Sequence, residues 1–184
     1  KDDRKFISIH NGMDLDVWDT ALEKAQDGYR SRKTTNGALR LICIGRIEPA
    51  KGQLFLIEAC GILHKQGIPF ELVLAGEIVE DGYFIDCKTT AETLGIAHKL
   101  TISGHQKNIG ALMSECDIVI SPSISGEAFS RSIIEAMAWG RPVVTTDYRG
   151  IPDLVEDEVS GFLLEAPDPE ALADRLYRLA TEPG

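Results

Sequence analysis

Short apolar runs that end in glycine alternate along this chain with stretches of helical period, and that alternation is the strongest constraint on its fold. Leu41–Ile44 is such a run and stops at Gly45; Phe70–Ala75 is another and stops at Gly76. Between them Leu56, Ala59, Cys60 and Leu63 recur at i, i+3, i+4 and i+7, the spacing of one helical face, with Glu58 and Lys65 pointing elsewhere and Gly67 closing the segment. The same reading places a second helix around Asp86–Leu94, a third strand at Leu100–Gly104, a short helix over Ile109–Glu115 and a fourth strand at Asp117–Ile120. Ser130–Trp139 follows as a helix, Pro142–Thr145 as a strand, Ile151–Val155 as a helical turn and Gly161–Leu164 as a short sixth strand. The last helix is the best signalled, with Asp168 as N-cap, Pro169 in the first helical position and Leu172, Leu176 and Leu179 on one face. Strands that are Val, Ile and Leu almost throughout, separated by helices, must be covered on both sides. This predicts an α/β domain: a doubly wound parallel sheet of about six strands with helices on both faces. Ligands of such sheets sit at the carboxyl ends of the strands, which directs attention to the loops after Ile44, Ala75, Ser103, Ile120 and Thr145.

The 184 residues are 43% hydrophobic and 26% charged, enough apolar side chains for one cored domain and too many for a disordered or collagen-like chain. With 19 Lys and Arg against 29 Asp and Glu, the net charge of -10 opposes a phosphate-backbone footprint on nucleic acid and a general attraction to anionic membranes, but leaves room for a local basic pocket. No apolar stretch approaches the roughly 20 residues that span a bilayer, and the N-terminus lacks the basic-then-apolar pattern of a secretory signal. Cys43, Cys60, Cys87 and Cys116 are widely spaced, form no C-x-x-C pair and mostly sit in apolar runs. They read as buried thiols, not as a disulfide framework or a structural zinc site, and favour a reducing cytoplasm.

Residues 1–38 differ in kind from the rest. Phe6–Ile9 alternates like a strand, Asn11-Gly12 is a turn signal, and Tyr29–Gly37 is polar and loop-like. They read as a connector from a domain outside this sequence, with residues 39–184 as the doubly wound domain, and the chain is expected to be a piece of a longer protein. Asp14-Leu15-Asp16 has no third ligand nearby and reads as a solvated turn, not a metal pair. G-x-G-x-x-G after the first strand, G-x-x-x-x-G-K-[ST], H-E-x-x-H and G-x-S-x-G are all missing, which removes the main support for dinucleotide, P-loop, zincin and hydrolase chemistry.

Two constellations carry chemistry. Gly45-Arg46-Ile47-Glu48-Pro49-Ala50-Lys51-Gly52 follows the first strand and opens a helix, so Arg46 and Lys51 bring a forked cation and a point cation to a strand end beside helix N–H groups. Both suit a solvated surface too; their position favours a diphosphate site. In the second, Ser130 is a natural N-cap and the N–H groups of Arg131 to Ile133 open toward the same edge, adding the positive end of a helix dipole. Glu135 lies in a helix apolar nearly all round and needs a partner, either a ligand hydroxyl or an internal salt bridge. Glu127, in the loop before, is placed to reach the other end of the same ligand or to stay an exposed loop acid.

Glu127 and Glu135, spaced E-x7-E in GEAFSRSIIEAMAWGRPVVTT, together with IGRIEPAKG, the HNGMD turn and GIPDLVEDEVSGFLLE, resemble the C-terminal half of the group 1 (family 4) retaining GT-B glycosyltransferases, from about Ile7 to Ala180. The resemblance implies a Rossmann-like domain that binds a nucleotide-diphosphate sugar. It implies that Arg46 and Lys51 hold the donor diphosphate, with Gly45 beside them and backbone amides near Phe129, Ser130 and Arg131 assisting, and that Glu135 hydrogen-bonds the ribose. Glu127 would contact hydroxyls of the transferred sugar near the reacting carbon, and Gly104-His105-Gln106 with Ile109 would flank the base. Glu127, Arg46 and Lys51 are then the catalytic group. No metal and no further cofactor is implied, because two cations and a helix dipole can stabilise a departing diphosphate. The donor would be a UDP-, GDP- or ADP-sugar and the acceptor a glycan or glycolipid, as in polysaccharide or lipopolysaccharide biosynthesis. The acceptor would be bound by an N-terminal domain of the same protein, with cytoplasmic action and peripheral membrane association through that domain. Ser130 stands where the family often has glycine, and without its other domain the chain should bind donor but hardly turn over. A GT-B nucleotide-sugar epimerase, a glycogen- or sucrose-type synthase fragment, and a non-catalytic nucleotide-binding module are the alternatives.

Overall fold

A computed structural model describes residues 37–126 and 129–182. The connector reading of residues 1–38, including Phe6–Ile9, Asn11-Gly12 and Asp14-Leu15-Asp16, lies almost wholly outside the described residues, as does Glu127. Six strands form one sheet: β1 (Leu39–Ile44), β2 (Phe70–Ala75), β3 (Leu100–Ile102), β4 (Ile118–Ser121), β5 (Val143–Thr146) and β6 (Phe162–Leu164). Their order is β3-β2-β1-β4-β5-β6, and every pairing is parallel. The chain thus leaves β1 in one direction and returns on its other side at β4, opening a crevice where these two strands end.

Among the described residues five α-helices cover the sheet: α1 (Gln53–Lys65), α2 (Asp81–Thr93), α3 (Ile109–Glu115), α4 (Arg131–Ala138) and α5 (Pro169–Thr181). Period-two alternation sorts the strand side chains into two cores. Leu41, Cys43, Leu72, Leu74, Ile118 and Ile120 pack under α1, α2 and α5, while Ile42, Val119 and Val143 face α3 and α4. On α1 the face read from sequence is fully buried, with Leu56, Ala59, Cys60 and Leu63 all at 0% exposure. The C-terminal helix packs on α1 and starts as its sequence demands, with the Asp168 carboxylate accepting from the Glu170 N–H at 2.9 Å and Pro169 behind it.

The boundaries move in places for identifiable reasons. Helix α2 begins at Asp81 instead of Asp86: Glu80 is extended, Asp81 supplies the acidic first turn, and Tyr83 docks its hydroxyl on α1. Strand β4 runs one residue later than expected, and the Asp117 carboxylate accepts from the Arg40 N–H at 2.7 Å. Ser130 does occupy the N-cap of α4, but it makes no side-chain capping bond.

Candidate functional site

The loops at the carboxyl ends of β1, β2, β3 and β4 enclose a cleft of about 720 Å³. From the β1 loop come Gly45, Arg46 and Lys51; from β2, Gly76 and Glu77; from the β3 loop, His105, Gln106, Lys107 and Ile109; and from the start of α4, Ser130, Arg131, Ser132 and Glu135. The two constellations read from sequence therefore meet in one place. Gly104 and Phe129 are adjacent to lining residues but do not line the cleft themselves. Glu77 and Lys107 were not marked by any motif, and Ser132 was marked only for its backbone N–H; the rule that ligands sit at strand ends was the available signal for Glu77, which follows Gly76.

Backbone bonds lock the loops together before any ligand arrives. The Gly45 N–H donates to the Ala75 carbonyl at 2.9 Å and the Ile47 N–H to the Glu77 carbonyl at 2.7 Å, which extends the β1–β2 pairing beyond the strands. Gly76 permits this approach, since a Cβ there would lie 1.8 Å from the Gly45 oxygen. The turn Pro49–Lys51 is tied to the β4 loop, because the Ala50 carbonyl accepts from the N–H of Ile124 at 2.9 Å and of Ser125 at 3.2 Å. On the β3 side the Gln106 side chain donates to the Ser103 carbonyl and holds that loop in a turn.

Cations outnumber acids in the lining: Arg46, Lys51, Lys107 and Arg131 stand against Glu77 and Glu135. Glu135 is half-buried on the face of α4 that lines the cleft, not in the core; burial raises its pKa above the ordinary carboxylate value, and Arg131 one turn earlier pulls it down. The Ser130 hydroxyl lies 3.4 Å from Ser121 Oγ and 3.0 Å from Ser132 Oγ, so a row of hydroxyls leads from the buried end of β4 into the cleft and the first-turn amides of α4 are not capped by it. Nucleophilic thiol chemistry has no place here: the four cysteines are buried, and burial pushes Cys43 up to about 12 and Cys87 and Cys116 to about 11. Among the described residues no group of three or more His, Cys, Asp or Glu converges to hold a metal ion, and no helix is long and apolar enough to cross a membrane.

A crevice lined with two cation-bearing loops and a helix N-terminus suits a ligand with adjacent phosphates. Known proteins give that chemistry a context. The amylovoran biosynthesis glycosyltransferase AmsK of Erwinia amylovora is 32% identical over 180 residues, which cover 90% of this chain and 42% of AmsK. Among solved structures, Anabaena HepE in complex with UDP and glucose superposes with a TM-score of 0.80 at 27% identity over 95% of this chain and 47% of its own. A glycosyltransferase from Rickettsia africae superposes with a TM-score of 0.84 at 28% identity, covering 97% of this chain and 48% of that one. The chain thus spans less than half the length of these relatives. Residues 29–183 match the model of the family described as glycosyl transferases group 1, a match that takes in every cleft residue named above, and the chain belongs to that family.

Proposed function

We propose that this chain is the donor-binding half of a retaining glycosyltransferase that takes a nucleotide-diphosphate sugar, with UDP as the first nucleotide to test. The observation that carries the reading is the convergence of Arg46, Lys51 and the N-terminus of α4 on one cleft at the point where the sheet order reverses. Its uridine assignment is supported by the likeness to HepE, whose structure holds UDP and glucose.

In this reading the diphosphate lies between the two cations and the α4 amides. As the bond from the sugar's anomeric carbon to the diphosphate oxygen breaks, charge grows on that oxygen, and these groups stabilise it without rearranging. A new bond forms from the anomeric carbon to an acceptor hydroxyl, whose proton is released. Glu135 accepts from ribose hydroxyls, His105 and Ile109 flank the base, and Glu127 contacts the sugar. The charge that a divalent ion would supply comes from Arg46, Lys51 and the helix end. The acceptor, a glycan or glycolipid, is bound by the part of the protein that this chain does not span, which also brings the enzyme to the cytoplasmic face of a membrane.

Titration calorimetry of the 184-residue chain against UDP, GDP, ADP and their sugar conjugates, with and without magnesium, tests this. UDP is expected to bind saturably and more tightly than UMP, and Lys51→Ala to weaken UDP about tenfold or more, the loss of one hydrogen bond to a charged group. Equal UDP affinity in Lys51→Ala would remove the diphosphate assignment.

A further inference from the structure

Resting on the reading of the cleft as a donor site, we propose that Gln53 and Glu48 form a two-point clamp that presets Arg46 for the diphosphate. Gln53 opens α1 at 0% exposure, and its Nε2 donates to the Arg46 carbonyl at 2.8 Å. Its other amide atom, Oε1, is buried and has no hydrogen-bond partner. A buried acceptor left unsatisfied is a stability cost that an apolar side chain of similar shape would not carry. Gln53 therefore leaves its own Oε1 unpaired while it donates to the Arg46 carbonyl, and what it supplies is a fixed Arg46 backbone.

The second point holds the other end of the same residue. Arg46 Nη2 lies 2.8 Å from Glu48 Oε1, and the two side chains are exposed very differently, 62% for Arg46 and 13% for Glu48. Arg46 lines the cleft and Glu48 does not, so the carboxylate grips the guanidinium from outside the ligand volume. One contact to Nη2 leaves further N–H groups of the guanidinium fork for an anion. An exposed arginine that had to be immobilised by the donor would give up rotamer freedom on binding; a guanidinium already held by Glu48 on a backbone already held by Gln53 gives up less. Neither residue reaches the ligand, so both are positioning residues.

Two readouts test the clamp on the 184-residue chain. The first needs no nucleotide: in Gln53→Met, amide hydrogen exchange at Ile47 and Lys51 should accelerate while exchange in β5 and β6 stays level. The second compares UDP with UMP: Gln53→Met and Glu48→Ala should each weaken UDP about threefold to tenfold and leave UMP unchanged, because only the diphosphate reaches Arg46. Unchanged exchange in Gln53→Met, or equal losses for UDP and UMP, would make Gln53 a prop of the fold and overturn the clamp. UDP binding to Glu48→Ala as tight as or tighter than to the unaltered chain would overturn it as well, showing that Glu48 competes with the ligand. If the unaltered chain bound no nucleotide, the donor reading would fail by itself, and the exchange rates would still decide the clamp.

Discussion

Two helices begin beside the cleft, and they begin in opposite ways. Helix α1 starts at Gly52, in the left-handed region at φ 68°, so close to the β4 loop that a Cβ would lie 2.0 Å from the Pro122 oxygen. Its Leu54 N–H is already taken, donating at 2.9 Å to the Tyr83 hydroxyl of α2. Helix α4 starts at Ser130, whose hydroxyl turns to Ser121 and Ser132 and caps nothing. One helix end is engaged from within the fold, while at the other no side chain caps the first-turn amides. A dipole alone does not make a site: the first-turn amides must still be available, and in the proposed reading the α1 end mounts Arg46 and Lys51 while α4 supplies the donors.

The largest expected effect comes from forcing a side chain into the closed end. Gly52→Ala has to bear the left-handed conformation and a clash with backbone, so it should cost at least about 2 kcal/mol, roughly 4–8 °C of melting temperature for a domain of this size. A thermal melt showing less than half that loss would mean that the β4 loop yields and that the α1 end is not closed by contact. The open end is broken differently. Proline suits the first helical position, and Ser130 before it is extended, so Arg131→Pro removes one N–H without disturbing the helix. Measured against Arg131→Ala, which removes the same guanidinium, the proline variant should melt no lower and bind UDP about tenfold more weakly, the loss of one charge-assisted hydrogen bond. Equal affinities in the two variants would show that this amide does not meet the ligand.

The contrast also marks how far the sequence could be read. Strands, helices, the parallel sheet and both constellations were legible because each is a local signal: an apolar run, a helical period, cations after a glycine. Arg46, Lys51, Arg131 and Glu135 reach one cleft because doubly wound sheets gather their strand ends, a rule that applies without knowing the strand order. What depends on which loops become neighbours was not legible. Tyr83 reaches the start of α1 from 29 residues away only once the packing of α2 is known, whereas the strand-end rule already pointed to the loops that hold Glu77 and Lys107. The start of α2 belongs to the same class, since its first turn carries that docking tyrosine. Ser130 shows the limit of a local rule: the right residue at the N-cap spends its hydroxyl on two other serines.

Tyr83→Phe sharpens the comparison at about half the scale of Gly52→Ala. It leaves the Leu54 N–H without its acceptor, which should cost roughly 0.5–1.5 kcal/mol in a thermal melt while UDP affinity stays unchanged. An affinity that moved with this hydroxyl would mean that the α1 end takes part in binding after all.

The smallest effect is read at Glu135, one turn beyond the open amides. Burial raises its pKa and Arg131 only partly offsets that, so folding favours the protonated carboxyl. The native chain then binds more proton than the unfolded one between the ordinary carboxylate value of 4.5 and the raised value, and stability falls as pH rises through that window. Glu135→Gln removes the charged form. It should raise the melting temperature slightly at pH 7, with the gain shrinking as the pH is lowered toward 4.5 and below. A gain independent of pH would mean that packing, not the buried charge, sets the cost. The same substitution should weaken UDP and UMP by equal factors of about threefold to tenfold, since both carry the ribose that the carboxylate would hold. That pattern separates Glu135 from Lys51, whose loss should fall more heavily on UDP, and it assigns the two ends of the cleft to the two ends of one nucleotide.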